Sequence, residues 1–257
     1  MTSQAQTNCR FCVLVALGIV AALAVFALPA SACPISDVAA TTVTLRVDTG
    51  LDSGEMSWVL KPDADNPDRF SWELTAPVTI SGANGPLAVI SSFDIQTDND
   101  PEVKLNFSFT ALTGATYTIT SPTVAFAPLT NPTAFATAAI TLTDGDGNGA
   151  TLTGGLTGGK AYEARYNSPV VTWASLVGTP VIAGADTSVT ASDRQPATGY
   201  STISGTVSSI QSEFKFYLDA NDQASGTSRF VVTPEPATLA LLALGVAGMV
   251  LRRRGRK

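Results

Sequence analysis

A mainly β fold, built as an antiparallel sandwich or a jelly-roll-like relative of one, is predicted by three features of this 257-residue chain. Apolar residues recur at every second position over many short runs. Clusters of Gly, Asp, Asn and Pro separate those runs. Between the two apolar terminal segments, no long stretch carries the 3.6-residue apolar period of a helix. Alternation of this kind puts one face of a strand in a core and the other in water. Without helices to cover them, such strands bury their apolar faces against a second sheet.

The elements follow in order. Thr42 to Asp48 sets Val43, Leu45 and Val47 on one face, and Glu55 to Lys61 does the same with Met56, Trp58 and Leu60. Thr49 to Gly54 between them reads as a hairpin loop, because Gly and Asp supply turn conformations cheaply. Lys61 to Asp68 is a second polar turn region, followed by a strand over Arg69 to Leu74. Pro86 to Gln96 changes phase between Leu87, Val89, Ile90 and Phe93, Ile95, as a β-bulge would require. Val103, Leu105, Phe107 and Phe109 alternate without a break, and Tyr117 and Ile119 continue after the Thr113-Gly114-Ala115 turn. Further strands are expected at Thr123 to Phe126, Phe135 to Leu142, Ala161 to Tyr166 and Val170 to Trp173. After a looser stretch come Ile203 to Val207 and Ile210 to Leu218. A closing hairpin, Gln211 to Asp219 and Thr227 to Thr233 around Ala220-Asn221-Asp222-Gln223, is expected at a sheet edge, where Pro234 would end the ladder. The total is roughly 10 to 14 strands with polar, Thr-rich outer faces.

Residues 1–32 read as an export signal. Arg10 precedes an apolar body from Phe11 to Leu28, then Pro29 and an Ala30-Ser31-Ala32 end that fits signal peptidase cleavage after Ala32. Cys9 and Cys12 would leave with the signal, so Cys33 is the single mature thiol and no intramolecular disulfide can form. Residues 33–236 hold nine basic residues against all 21 acidic ones, a formal charge of −12. That balance excludes a nucleic-acid binder, which needs cations for phosphates. It also disfavours an anionic membrane surface as partner.

The C-terminal segment runs from Pro234-Glu235-Pro236 through the apolar residues 237–251 to the basic residues 252–257. Fifteen residues span about 22 Å as a helix, short for a bilayer but tolerable in a thin one. Basic residues after the span would stay in the cytoplasm and leave the acidic domain outside. On these residues alone a plain tail anchor fits too. The order of motif, short helix and arginine cluster resembles the PEP-CTERM sorting signal of exported bacterial proteins. The resemblance implies that an exosortase, an integral-membrane cysteine protease, recognises Pro234, Glu235 and Pro236 and removes the helix. The protein would then pass to the cell surface or an exopolysaccharide matrix. The domain map is thus 1–32 signal peptide, 33–233 extracellular β domain and 234–257 sorting signal.

Chemistry in the domain is sparse. His is absent, which removes the Ser-His-Asp arrangement and the commonest zinc ligand. The run Gly154 to Lys160 lacks the full spacing of a phosphate-binding loop and its following Ser or Thr. Asp144, Asp146 and Asn148 occupy positions 1, 3 and 5 of a loop with Gly149 at 6, the opening of a calcium loop. Gly155 stands where the twelfth-position Glu belongs, so a complete EF-hand is rejected. The readings left are a partial calcium loop or an ordinary Gly-Asp turn, with calcium the one cofactor in question. Asp98, Asp100 and Glu102 read as a solvated turn. Trp58, Trp72, Phe107, Phe109, Phe214 and Phe216 are expected in the core, and Trp173 is the aromatic with most freedom to stack on a sugar. The expectation is therefore an exported, non-enzymatic surface or matrix protein. A carbohydrate-binding module and a secreted hydrolase of carboxylate type are the alternatives.

Overall fold

The computed structural model describes residues 42–66, 68–98, 101–167 and 171–234. The export signal, with Ala30 and Ala32, and the tail beyond Pro234 lie outside the described residues. In chain order the strands are β1 (Thr42–Asp48), β2 (Ser53–Val59), β3 (Lys61–Pro62), β4 (Arg69–Glu73), β5 (Val78–Gly82), β6 (Gly85–Asp98), β7 (Glu102–Ala111), β8 (Ala115–Thr120) and β9 (Val124–Thr130). They continue with β10 (Thr133–Thr143), β11 (Ala150–Gly154), β12 (Lys160–Tyr166), β13 (Val171–Gly178), β14 (Val181–Ala183), β15 (Ser188–Gln195), β16 (Ser201–Thr202), β17 (Thr206–Leu218) and β18 (Gln223–Thr233). No helix occurs among the described residues.

All strand pairs are antiparallel and fall into two nine-stranded sheets. Sheet 1 runs β13-β12-β17-β8-β1-β2, with β9, β11 and β14 attached. Sheet 2 runs β15-β10-β18-β7-β6-β4-β3, with β5 and β16 attached. The two share one core, consistent with the expected sandwich. Phe107 and Phe109 of β7 meet Phe214, Phe216 and Tyr117 from sheet 1, with the Phe109 and Tyr117 rings 4.3 Å apart and Phe107 edge-on to Phe214 at 5.1 Å. All five are buried. Offset and edge-to-face contacts of this kind add to the stabilisation from area burial alone.

The period-2 reading locates β1, β2, β4, β6, β7, β8, β10 and β12 to within a few residues. The phase change in β6 is a bulge, where the register against β7 shifts between Ile90 and Ser92. Outer faces carry cross-strand hydroxyl pairs such as Thr141 with Thr190 at 2.8 Å and Thr143 with Ser188 at 2.7 Å.

Three expectations are corrected. Ile203 to Val207 and Ile210 to Leu218 are not two strands. Residues 206–218 form the single strand β17, irregular against β9 between Val207 and Ser209, and Ile203 is buried outside it. The final hairpin does not exist either, because β17 belongs to sheet 1 and β18 to sheet 2. Each strand presents an apolar face, Phe214-Phe216-Leu218 and Ala224-Phe230-Val232, and the faces bury each other from opposite sides. Finally, β18 is an interior strand between β10 and β7. Pro234 fits because the ladder has already ended at the pair Thr133 and Thr233, so its missing N–H interrupts nothing.

Candidate functional site

One end of the sandwich gathers three of the connections that pass between sheets. The loop 144–149 leads from β10 to β11, residues 184–187 lead from β14 to β15, and residues 219–222 lead from β17 to β18. β10 and β18 are neighbours with Thr143 opposite Gln223, so their loops emerge side by side. The Asp144 N–H donates to the Thr187 carbonyl at 3.0 Å, and the Asn221 N–H donates to the Ala111 carbonyl at 2.8 Å. Gly145 is required by proximity, because a Cβ there would overlap the Asn221 carbonyl oxygen. Gly149 takes φ +92°, a left-handed value that a side chain would strain.

Asp144, Asp146 and Asp222 each bring a carboxylate oxygen within 4.8 Å of the others. Asp144 is buried, with Oδ1 accepting from the Gly149 N–H at 3.1 Å and Oδ2 from the Asp186 N–H at 2.6 Å. Those bonds, the one from Asp186 foremost, hold its carboxyl below the ordinary value. Asp146 is exposed and accepts from the Asn148 N–H and the Asn221 side chain, each at 3.3 Å. Asp222 is 1% exposed, its Oδ1 accepts from the Gly145 N–H at 3.3 Å, and its Oδ2 is buried without a partner. Burial pushes its carboxyl above the ordinary value, and the charges of Asp144, Asp146 and Asp219 push the same way.

The sequence pointed to Asp144, Asp146 and Asn148. The structure joins the first two to Asp222 and leaves Asn148 exposed in the same loop. Asp222 escaped sequence reading because it lies far along the chain, and the signal that could have found it was the pairing of β10 with β18. The other acidic group, at the β6–β7 turn, is ion-paired. Asp98 takes Arg69 at 3.2 Å, and Glu102 takes Arg229 and, at 3.2 Å, Lys104; Asp100 lies outside the described residues.

The aromatic expectation holds for the four phenylalanines, which are buried. Trp58 and Trp72 are half-buried and stack on each other at 4.7 Å, linking β2 of sheet 1 to β4 of sheet 2. Trp173 stacks on Phe230 at 5.6 Å, so one of its faces is taken. Glu163 and Glu213 lie directly opposite each other on β12 and β17, and Arg165 donates to both at 2.8–3.0 Å.

The described residues form a mainly β domain whose last strand, β18, ends just before Pro234 of the C-terminal segment. The chain carries a PEP-CTERM sorting signal, since the PEP-CTERM protein-sorting motif matches residues 232–254. The motif implies export and sorting by an exosortase, with C-terminal membrane anchoring. No curated protein matches the chain in sequence. Among solved structures, the isomalto-dextranase of Arthrobacter globiformis T6 complexed with panose is similar over 69% of this chain and 25% of its own, at 13% identity and a TM-score of 0.26. The infectious bursal disease virus Gt strain structure is similar over 84% of this chain and 73% of its own, at 10% identity and a TM-score of 0.16. At these TM-scores neither likeness bears on fold or function.

Proposed function

We propose that the protein is a non-enzymatic component of the cell surface or exopolysaccharide matrix, delivered there by exosortase cleavage at Pro234-Glu235-Pro236 after signal peptidase has removed residues 1–32. The observation that carries this reading is the junction of domain and motif. The match begins at Val232, fully buried in β18, yet the ladder ends at Thr233 and Pro234 is exposed. Cleavage after Pro234 would therefore leave every strand of the described residues in place.

A structural role is supported by how the polar groups are used. The buried carboxylate Glu163 and its neighbour Glu213 are both ion-paired with Arg165, an arrangement unlike a hydrolase pair that must hold and release a proton. The two buried tyrosines are far from ionising, since burial raises both, Tyr162 to about 12. Each tryptophan stacks one face on another ring, which leaves less aromatic surface for a sugar than an open binding platform would offer.

Intact mass of the protein recovered outside the cell tests the reading. A mass that begins at Cys33 and ends near Pro234 is expected. A full-length C-terminus in the exported protein would replace release with permanent anchoring. Saturable binding to isolated sugars, lost on Trp173→Ala, would favour the binding module instead.

A further inference from the structure

We propose that Asp144, Asp146 and Asp222 hold a calcium ion that ties together the sheet-to-sheet crossings at one end of the sandwich. The first argument is convergence. Oxygens bound to one calcium at 2.3–2.6 Å lie no more than about 5 Å apart, and the three carboxylate oxygens already meet that condition. The second is the unpartnered Oδ2 of Asp222, in a side chain 1% exposed, because a buried carboxylate oxygen left without a donor is costly unless a cation meets it. The third is the lack of any other cation. Among the described residues no Lys or Arg pairs with these three, although the basic side chains elsewhere neutralise Asp98, Glu102, Glu163 and Glu213.

Donor chemistry selects the ion. All three ligands are carboxylates and the chain has no His, so the site suits a hard cation and not zinc. The Asp144 oxygens each accept one N–H, but a carboxylate offers about four acceptor positions, so lone pairs remain for a metal. Ligands drawn from separate loops suit the loose, oxygen-rich coordination of calcium better than the strict octahedron of magnesium. Waters and carbonyl groups of the loops would complete the shell. Asp144 directly follows β10 and Asp222 directly precedes β18, neighbouring strands of sheet 2, so the ion would tie together the two crossings by which these strands connect to sheet 1.

The test is a calcium titration of the purified exported protein after stripping with a chelator, with the melting temperature as readout. Binding to the folded state alone should raise it by about 5–10 °C at a hundred times Kd. Asp222→Asn should weaken calcium binding at least tenfold by calorimetry. Because it also relieves repulsion, the variant should melt no lower than the stripped wild type. Asp146→Asn, at an exposed position, guards against a folding defect and should weaken binding too. Magnesium at equal ionic strength should give a much smaller shift. No shift with millimolar calcium, an equal shift in both variants, or an equal shift with magnesium would overturn the proposal. The first of these would mean that a proton, not a metal, neutralises Asp222.

Discussion

Arg165 shows how one side chain can make a strand pairing tolerable. Glu163 and Glu213 face each other across β12 and β17, a like-charge pair that would push the strands apart. Arg165, two residues along the same face, donates to both, and Thr172 adds a bond to Glu163 at 3.2 Å. Removing the cation leaves mutually repelling carboxylates in a part-buried site. Arg165→Met should therefore cost about 3–5 kcal/mol in chemical denaturation, and adding Glu163→Gln with Glu213→Gln should restore a large part of it. Gly226 is the complementary case of a missing side chain. It sits opposite Phe107 in the ladder, and a Cβ there would overlap the Phe107 ring. Gly226→Val should lower stability by about 1–3 kcal/mol through overpacking. Because the two sites touch, pairing it with Phe107→Leu should cost less than the sum of the single changes.

At the scale of elements, turns of one sheet are fastened to turns of the other. The loop after β1 belongs to sheet 1, and its Asp52 carboxylate accepts the N–H groups of Ala83 and Asn84, both at 2.8 Å, in the turn between β5 and β6 of sheet 2. The Asn84 N–H first, then that of Ala83, holds the Asp52 carboxyl below its ordinary value of 3.8. A carboxyl depressed by folding stabilises the fold above its unfolded pKa and loses that contribution as pH falls through the lower folded value. Melting temperatures taken from pH 6 to pH 2 should show Asp52→Asn less stable than wild type at the upper end, with the gap closing toward the lower. The stacked Trp58 and Trp72, with Phe93 5.2 Å from Trp58, fasten the β2 edge to β4 in a similar way through apolar contact.

For the whole molecule, the position of β18 decides what can be removed. It bonds to β10 along eleven residue pairs and to β7 along nine, and it buries Ala224, Phe230 and Val232. A chain ending at Asp222 should fail to fold, seen as loss of the β signal in circular dichroism. One ending at Pro234 should melt within about 1–2 °C of the domain with its tail, since among the described residues the ladder ends at Thr233. At the alkaline end, the buried Tyr162 resists ionisation to about 12 against an ordinary 10.0. Its raised value stabilises the fold fully below pH 10, and that stability is lost as pH rises from there through 12. Spectral titration should accordingly show the buried Tyr117 and Tyr162 ionising only on unfolding.

Strong alternation made β1 and β7 legible residue by residue, because their inward positions are large and apolar while the outward ones are polar. β15 escaped because Ser188 to Gln195 carries only Val189 and Ala191 toward the core and is held by ladder bonds to β10, which leave no mark on composition. The calcium-loop spacing exposed Asp144 and Asp146 but not Asp222, whose place depends on a crossing between sheets. The β character, the acidic domain, the lack of His chemistry and the sorting tail are all carried by local pattern or composition. Long-range packing set the rest: β17 and β18 part into different sheets, β18 lies in a sheet interior, and the third carboxylate joins the other two. Those outcomes follow from burying apolar faces on opposite sides of one core, a long-range condition that no local window of sequence contains.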